Sequence, residues 1–361
     1  MSGRTTGDSG VVQARPEVGG GAATPSFELP RGSADGIPGP ARATRIGPQE
    51  FVWGPRTYVM GILNATPDSF SGDGLLGPSG NGSGWSPAGS ADRPDPGLVA
   101  TAVALGRRMA DEGADLLDVG GESSRPGHAE VSATDEIARV VPVIAALRAT
   151  LPEMPLSVDT TKAEVAAAAL DAGADLVNDV WGVATDDGLL RLAAERRVPI
   201  VLMHNRAEAR YVNLMAEIVA DLQAAIERAL AAGIGWDAII VDPGFGFGKT
   251  PAHNLVLLRE LPLLHALGRP ILLGTSRKST LGKVLDLAAD ERLEATLATT
   301  ALAAAAGIDI VRVHDVRPNV RVARMADAVV RGDGERDGLR LGADVAPGAR
   351  ADVSSSERTR S

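Results

Sequence analysis

The chain is notable first for what it lacks, since none of its 361 residues is cysteine. This absence excludes disulfides, thiolate metal sites and a cysteine nucleophile. Aromatic residues make up only 3% of the chain, whereas hydrophobic residues make up 44%. Alanine, valine and leucine must therefore fill the core, as is typical of helix-rich α/β proteins.

The chain also lacks an excess of positive charge and any long apolar run. Its formal net charge of −10 argues against nucleic acid or an anionic membrane as the main partner, so a bound anion must be held by local cations. No apolar run is long enough to span a bilayer, and the polar beginning lacks the apolar centre of a signal peptide. We therefore expect a soluble, cytoplasmic protein.

What the chain does contain is one pattern that occurs eight times, in which an apolar run of strand length ends in a polar residue and a turn. These runs are 58–64, 115–121, 155–159, 174–178, 198–203, 238–242, 270–274 and 309–314. Helical patterns follow them, at 98–112, 134–150, 163–172, 186–196, 212–232, 252–266, 279–287, 291–306 and 317–331. Eight strand–helix units with apolar strands predict an α/β protein with a closed (β/α)₈ TIM barrel.

Three segments rich in glycine, proline, serine and charge show no hydrophobic period. We interpret residues 1–46 and 332–361 as disordered tails, and 75–96 as a flexible insertion in the loop after the first strand. The remaining chain, 47–331, is predicted to be a single catalytic domain.

Three polar residues, Asp159, Asn178 and Asp242, each end an apolar strand. In a (β/α)₈ barrel the catalytic groups lie at these carboxyl ends, so the three side chains should meet at one mouth. Any one of them could instead cap the following helix. Together they suit a planar polar ligand that offers N–H donors along one edge, because unpaired buried polar groups are costly.

Cations follow other strands of the same predicted barrel. Arg125 follows the second strand and Lys278 the seventh, while Arg312 and His314 lie two residues apart on the eighth and so face the same way. Phosphate sites in such barrels favour the loops after strands seven and eight. We therefore expect a phosphate or diphosphate there, although Arg312 could also be a salt-bridged arginine without a ligand.

Further candidates are less specific. Asn64 and Asp242 carry oxygen ligands of the kind that magnesium prefers, but the sequence shows no complete metal cage. His204 could be structural or catalytic. Phe247, within a glycine-rich run, could form a wall for an aromatic ligand.

Two reaction classes fit these residues. Lys278 could form a Schiff base, but it lies beyond the turn after strand seven and beside Arg277, which disfavours an aldolase. Displacement of an anionic leaving group held by arginine and histidine, with an organic ring held by aspartate and asparagine, fits better.

Seven motifs, in order along the chain, resemble those of the dihydropteroate synthase family. The resemblance covers roughly residues 57–330. The motifs are 60–71 (MGILNATPDSFS), 118–127 (DVGGESSRPG), 157–160 (SVDT), 177–180 (VNDV), 242–249 (DPGFGFGK), 276–279 (SRKS) and 312–316 (RVHDV).

The resemblance implies an enzyme of folate biosynthesis that joins 6-hydroxymethyl-7,8-dihydropterin diphosphate to 4-aminobenzoate, giving 7,8-dihydropteroate and diphosphate. It implies early loss of diphosphate, assisted by Mg²⁺, and attack of the arylamine on a pterin cation. The pterin would be bound by Asp159, Asn178, Met203, Asp242 and Lys278. Diphosphate and Mg²⁺ would be held by Asn64, Arg312 and His314, with Asn64 as the metal ligand.

The resemblance further implies that six residues frame 4-aminobenzoate. These are Phe70, Ser124, Arg125, Pro126, Phe247 and Ser279. Of all the residues implied to bind pterin, diphosphate or 4-aminobenzoate, four would be catalytic: Asp159, Lys278, Arg312 and His314. The family also implies a homodimer and sensitivity to sulfonamides, which mimic 4-aminobenzoate.

The sequence departs from the family pattern at three places. Ser124 replaces a more usual threonine, and 71–74 reads Ser-Gly-Asp-Gly where Ser-Asp-Gly-Gly is usual. The loop after the first strand also carries the long insertion rich in glycine, serine and proline. Two other readings remain open. A related methyltransferase barrel would share the pterin-side Asp and Asn but would not need Arg312 with His314. A non-catalytic pterin-binding paralogue would be favoured by loss of Asn64, Arg125, Lys278 or Arg312, and all four are present.

Overall fold

The computed structural model describes residues 39–65, 96–122, 131–181 and 187–332. The predicted tails before residue 39 and after residue 332 lie outside the described residues, as does the predicted loop insertion up to residue 95. Pro96, which we assigned to that insertion, is instead the first residue of a helix. Proline is suited to a first helical turn because its missing N–H would have no partner there.

After two short strands, β1 (Ala43–Ile46) and β2 (Gln49–Val52), eight parallel strands form the centre of the molecule. These are β3 (Tyr58–Asn64), β4 (Leu116–Gly120), β5 (Leu156–Asp159), β6 (Leu176–Asp179), β7 (Ile200–Met203), β8 (Ile239–Asp242), β9 (Leu272–Leu273) and β10 (Ile310–Val313). Their order in the sheet is β8-β7-β6-β5-β4-β3-β10-β9. A parallel bridge between Val241 of β8 and Ile271, which precedes β9, joins the two ends of the sheet, so the predicted (β/α)₈ barrel is confirmed.

Helices surround this barrel, and their amino ends follow local capping rules. Ser132 and Asn213 each accept a hydrogen bond from a backbone N–H three residues later, as N-cap residues do. No helix in the described ranges is long and apolar enough to cross a membrane. The α-helices are α1 (Pro96–Asp111), α2 (Ala133–Thr150), α3 (Ala163–Asp171), α4 (Gly188–Arg196), α5 (Leu214–Ala231), α6 (Pro251–Arg259), α7 (Ser279–Leu285), α8 (Leu293–Ala305) and α9 (Val316–Val330).

One predicted helix is divided in the structure. The pattern at 252–266 predicted a continuous helix, but α6 ends at Arg259 and a 3₁₀ segment, Leu261–Leu267, follows it. Pro262 is the second residue of that segment. A proline inside an α-helix removes a hydrogen bond and clashes with the preceding turn, which disfavours a continuous helix through Pro262. The rule is a preference, since α2 continues through Pro142.

The alternation of side chains along each strand creates two apolar cores. Outward-facing residues of the strands, such as Val59 and Leu117, pack against the helices. Inward-facing residues form a second cluster inside the barrel, which includes Met60, Leu116 and Ile310. This inner cluster fills the amino end of the barrel, so the polar residues that follow on the same strand faces lie towards its carboxyl end.

A β-hairpin before the barrel corrects our assignment of residues 1–46 to a disordered tail. Strands β1 (Ala43–Ile46) and β2 (Gln49–Val52) pair in antiparallel register. Ile46 and Phe51 of this hairpin are buried in the inner cluster, and the Phe51 ring lies 4.8 Å from the Tyr58 ring. The hairpin thus closes the amino end of the barrel, a tertiary contact that the weak apolar pattern of the segment did not reveal.

We expect Phe51→Ala to destabilise the protein by about 3–5 kcal/mol, because it removes a buried aromatic ring from the inner cluster. Urea unfolding followed by circular dichroism measures this change. Val52→Ala is the matched control, since Val52 is adjacent but 45% exposed. Similar unfolding midpoints for the two variants would show that the hairpin does not support the barrel.

Candidate active site

The register of the parallel strands brings the predicted polar residues to one height. Asp159 lies opposite Asn178, and Met203 lies opposite Asp242. Gly120 lies opposite Asn64 on one side and Asp159 on the other. The carboxyl ends of β3 to β8 therefore form one rim, as the sequence predicted for a barrel mouth.

A buried ion cluster crosses the inside of the barrel beneath this rim. Arg312 donates from Nε to Oδ2 of Asp118 at 2.6 Å and from Nη2 to Oδ2 of Asp159 at 2.6 Å. Asn178 donates from Nδ2 to the same Oδ2 of Asp118 at 3.0 Å. One guanidinium and one amide thus connect strands β4, β5, β6 and β10 through their side chains.

Burial and the neighbouring charges shift the pKa values of the groups in this cluster. Burial raises the pKa of Asp159 to about 7; the Arg312 cation opposes this rise, and the Asp118 carboxylate adds to it. Burial acts to lower the pKa of Arg312, but the carboxylates of Asp118 and Asp159 outweigh it and raise that pKa above its usual value. Two carboxylates share one guanidinium, so Asp159 holds a proton more readily than an exposed aspartate.

A small open cavity lies next to the cluster and shares Asn178 and Arg312 with it. Its lining combines four of the five residues predicted to bind a pterin with Arg312 and two phenylalanines. The lining residues are Asn178, Val180, Met203, Asp242, Phe245, Phe247, Gly274, Lys278 and Arg312. The fifth predicted pterin ligand, Asp159, contacts the cavity wall through its ion pair with Arg312.

Asp242 is held in place by the turn that follows β8. Its Oδ1 accepts a hydrogen bond from the Gly244 N–H at 2.7 Å. Burial raises the pKa of Asp242 to about 6, and this hydrogen bond together with the cations of Lys278, Lys249 and Arg312 limits the rise. The carboxylate can therefore accept N–H donors of a ligand while carrying either a charge or a proton near neutral pH.

Lys278 lines the cavity, although its position beyond the turn after β9 suggested that it would lie outside the barrel. Its Nζ lies 3.8 Å from the centre of the Phe247 ring, a cation–π contact. The preceding residue, Arg277, has the left-handed φ of 56°. Arg277 is kept in this strained conformation by two hydrogen bonds to Asp315, at 2.9 and 3.2 Å. This bend turns the chain so that Lys278 reaches the mouth.

The other predicted residues of this side lie close to the cavity but not in its lining. The His314 N–H and ring Nδ1 contact the Ser276 hydroxyl at 3.2 and 3.0 Å, which joins the ends of β9 and β10. Ser279 is exposed at the first position of α7. Phe70, Ser124, Arg125 and Pro126 lie outside the described residues, so their predicted roles stay predictions.

The predicted metal ligand, Asn64, ends β3 and lies opposite Gly120 of β4. A Cβ atom on Gly120 would be 3.8 Å from Oδ1 of Asn64 and 3.7 Å from Oδ2 of Asp159, which are ordinary contact distances. Oxygens of this type suit Mg²⁺, and Oδ2 of Asp159 already accepts a hydrogen bond from Arg312. Among the described residues, no group of three His, Cys, Asp or Glu residues could hold a metal.

Sequence reasoning missed two buried ionic residues and left His204 undecided. Asp118 lies two residues after Leu116 on β4 and therefore faces the barrel interior as Leu116 does. This alternation could have predicted that Asp118 belongs to the buried cluster. His204 is fully buried between Asp221 and Lys249 and is not part of the cavity lining. Burial and the Lys249 cation lower the pKa of His204 to about 4, so it is neutral at pH 7 and structural in position. Lys249 itself ends the glycine-rich run in which only Phe247 was singled out.

The fold and the site define a (β/α)₈ barrel enzyme whose mouth presents carboxylates and an amide beside two cations. Comparison with known proteins identifies the type of ligand, because residues 96–314 match the family model described as pterin binding enzyme. A dihydropteroate synthase of Clostridium beijerinckii is 46% identical over 288 residues, which cover 80% of this chain and 99% of that protein. The chain belongs to the dihydropteroate synthase family, as its motifs predicted.

Solved structures agree with this assignment. A dihydropteroate synthase from Clostridium difficile, solved in the presence of pteroic acid, has a TM-score of 0.70 and 44% identity, and the match covers 78% of this chain and 99% of that one. A dihydropteroate synthase from Xanthomonas albilineans, solved with 4-aminobenzoic acid, has a TM-score of 0.70 and 40% identity, with 80% and 98% of the two chains covered. These relatives match the chain over nearly their whole length.

We expect Asp118→Ala to reduce the free energy of unfolding by about 3–5 kcal/mol, because it leaves buried donors of Arg312 and Asn178 without their shared acceptor. Denaturant unfolding measures the loss. Asp171→Ala is a suitable control, since Asp171 also pairs with an arginine but is exposed, and its removal should leave stability nearly unchanged. Equal effects of the two variants would contradict the importance of the buried cluster.

Proposed function

We propose that this protein catalyses the dihydropteroate synthase reaction of folate biosynthesis, in which 4-aminobenzoate displaces diphosphate from 6-hydroxymethyl-7,8-dihydropterin diphosphate. The observation that carries the proposal is the convergence of Asn178, Asp242, Lys278 and Arg312 on one cavity. Oxygen acceptors for ring N–H groups and cations for a leaving anion are thus available within one site. The family membership supports the same conclusion.

The pterin ring is proposed to lie against Met203, with its N–H edge towards Asn178 and Asp242. Both polar side chains are almost fully buried, at 3% and 6% exposure, and each is already oriented by a hydrogen bond, to Asp118 and from Gly244, so a ligand pairs with side chains that are fixed in advance. Ionised Asp242 and Asp159 also stabilise positive charge on the ring as the diphosphate departs. The carboxylates therefore serve binding and the transition state together.

The diphosphate is proposed to bind Arg312 and His314 at the ends of β10. Two edges of the Arg312 guanidinium are occupied by Asp118 and Asp159, whereas its Nη1 makes no hydrogen bond with the described residues. Because Arg312 is already oriented by two carboxylates, little conformational entropy is lost when an anion binds Nη1. His314 lies beside it, with its ring nitrogen held by Ser276.

Mg²⁺ is proposed to be held by Asn64 together with oxygens of the substrate diphosphate. Asn64 would supply one oxygen ligand of the kind that Mg²⁺ prefers, and an ion held in this way would keep waters and bind largely through phosphate. When bound, the ion neutralises the charge that develops on the departing diphosphate.

The 4-aminobenzoate is proposed to enter over Phe247, with Phe70, Ser124, Arg125, Pro126 and Ser279 completing its site. Its amine nitrogen forms a bond to the methylene carbon of the pterin, and the bond from that carbon to the diphosphate oxygen breaks. The bonding electron pair leaves with the diphosphate, and the new secondary amine releases one proton. An arylamine needs little help from a general base, so the cations and carboxylates suffice.

The alternative reactions lack this support. A Schiff-base aldolase would need Lys278 as a nucleophile, but its Nζ lies over the Phe247 ring in a cation–π contact. A methyltransferase barrel would not use the cationic pair of β10. We further propose a homodimer, a cytoplasmic location and binding of sulfonamides at the 4-aminobenzoate site, all on the basis of the family resemblance.

We expect Arg312→Ala to lower the turnover rate by about 100-fold to 1,000-fold, as loss of one transition-state charge contact does elsewhere. Diphosphate release with Mg²⁺, measured with and without 4-aminobenzoate, and dihydropteroate formation give the rate. Arg259→Ala, an exposed arginine of α6, should keep wild-type activity. Pterin binding without any diphosphate release by the wild-type protein would favour the non-catalytic alternative.

Binding of a neutral 6-hydroxymethylpterin, which carries no phosphate, should weaken as the pH falls from 8 to 5. The raised pKa values of Asp159 and Asp242, about 7 and about 6, mean that both groups are ionised at pH 8 and protonated at pH 5. Each protonation removes an acceptor and weakens binding by up to about tenfold per pH unit. Calorimetric titration at several pH values measures the affinity.

The control for this experiment is Asp179→Asn. Burial also raises the pKa of Asp179, to about 6, but Asp179 is not among the residues that line the cavity. The variant should therefore keep the wild-type pH profile. An affinity that is constant between pH 5 and pH 8 would contradict a role for ionised carboxylates in pterin binding.

A further inference from the structure

Lys249 is a buried cation that the proposed reaction does not use. It is only 9% exposed, and its ammonium contacts three acceptors: the Gly244 and Phe247 carbonyls, both at 3.0 Å, and Nδ1 of His204 at 2.9 Å. An ammonium has three N–H donors, so each one is used. The bonds to the Gly244 and Phe247 carbonyls connect two points of the loop that follows β8.

That loop needs side-chain hydrogen bonds because its glycine-rich backbone is intrinsically free. Gly244, Gly246 and Gly248 all have positive φ, at 68°, 87° and 54°. A Cβ at Gly244 would lie 1.8 Å from the His204 carbonyl oxygen, so glycine is required there. Glycines lose the most conformational entropy on ordering, and side-chain hydrogen bonds offset that loss: Lys249, at the end of the loop, binds two of its carbonyls, while Asn254 and Tyr211 each bind one further backbone group.

A chain of polar side chains in turn holds Lys249. For Nδ1 of His204 to accept from Lys249, the ring proton must be on Nε2, which lies 3.1 Å from Oδ2 of Asp221. Asp221 also pairs with Arg206 at 2.6 Å. Burial and the adjacent Lys249 keep His204 neutral, so it remains an acceptor. The chain runs from the half-buried surface at Asp221 to the loop at the mouth.

The loop carries Phe247, and the Phe247 ring defines one wall of the cavity. Lys249 binds the carbonyl of Phe247 itself, and the ring of Phe247 lies 3.8 Å from Lys278 Nζ. A shift of the loop would therefore move both the aromatic wall and its contact with Lys278. The opposite wall residues, Asn178 and Met203, belong to strands and do not depend on this loop.

We propose that Lys249, oriented by His204 and Asp221, is a positioning residue that holds Phe247 where it forms the 4-aminobenzoate side of the site. This inference rests on the proposed function, because it assigns Phe247 to the second substrate. It predicts that Lys249 acts on 4-aminobenzoate mainly through Phe247, with a smaller effect on the pterin through Gly244, whose N–H holds Asp242. Burial also lowers the pKa of Lys249 to about 7, and such costly buried charges are frequent at functional sites.

A double-mutant cycle tests this proposal with Lys249→Met, Phe247→Ala and the combined variant. Lys249→Met should raise KM for 4-aminobenzoate about tenfold and KM for the pterin diphosphate by a clearly smaller factor, because Lys249 also binds the Gly244 carbonyl beside Asp242. The kcat should stay within about threefold of wild type. The combined variant should have the same KM for 4-aminobenzoate as Phe247→Ala alone, because Lys249 acts on this substrate through the Phe247 ring. Lys283→Met, at an exposed lysine of α7, is the matched control and should leave all constants unchanged.

Two further measurements separate the possible failures. Hydrogen exchange of the 243–249 segment needs no turnover, and Lys249→Met should accelerate it at Gly246 and Phe247. If Lys249→Met does not fold, Asp221→Asn should show a smaller rise in KM for 4-aminobenzoate that disappears in the Phe247→Ala background. Multiplicative effects in the cycle, or unchanged exchange and KM, would overturn the proposal. An inactive wild type with accelerated exchange in the variant would instead contradict the proposed function and leave the positioning role supported.

Discussion

The structure depends on one constraint, that a charge placed inside a closed barrel must be paired there. Asp118 is fully buried, and its side chain accepts from Arg312 and Asn178 across the barrel. Isolated buried charges would cost several kcal/mol each, so these groups can exist only as a set. The same pairing that makes the interior tolerable also holds Arg312 and Asn178 in orientations where their remaining donors and acceptors face the cavity.

This arrangement divides the interior of the barrel into two levels. The amino end is apolar and is covered by the hairpin that contributes Ile46 and Phe51. The carboxyl end is ionic and contains the ligand cavity. Because side chains alternate along a strand, one strand face can supply both levels two residues apart, as Leu116 and Asp118 do in β4 and Ile310 and Arg312 do in β10. Stability and function are thus assigned to opposite ends of the same eight strands.

The loops at the described side of the mouth are ordered by a second set of polar contacts. Arg277 adopts a left-handed conformation that its ion pair with Asp315 stabilises, and this directs Lys278 inward. Lys249 binds the loop that carries Phe247. Loops of this kind have little regular hydrogen bonding of their own, so side chains from neighbouring elements determine their shape. The cavity therefore combines rigid strand residues with loop residues that are individually tied down.

Much of the fold and part of the site could be predicted from sequence, and the particular residues show why. The strand runs and the positions of Asp159, Asn178 and Asp242 follow from local patterns, since a parallel barrel imposes apolar strands and polar strand ends. The end of α6 before Pro262 follows from a local preference of proline, but the continuous apolar pattern at 252–266 favoured a single helix. The first hairpin strand, Ala43–Ile46, was missed because the few buried residues of the hairpin make contact with the barrel interior, which is formed by distant parts of the sequence.

By itself the sequence determined the strand–helix order, the rim positions of the polar residues and the family, because each of these is encoded in short-range periodicity or in contiguous motifs. Only the tertiary structure decided which charges neutralise each other. Arg312 and Asp118 are 194 positions apart, and His204 and Lys249 are 45 apart. Pairings at such separations have no local pattern, since they arise only when the closing of the barrel brings the strand ends together and excludes water from between them.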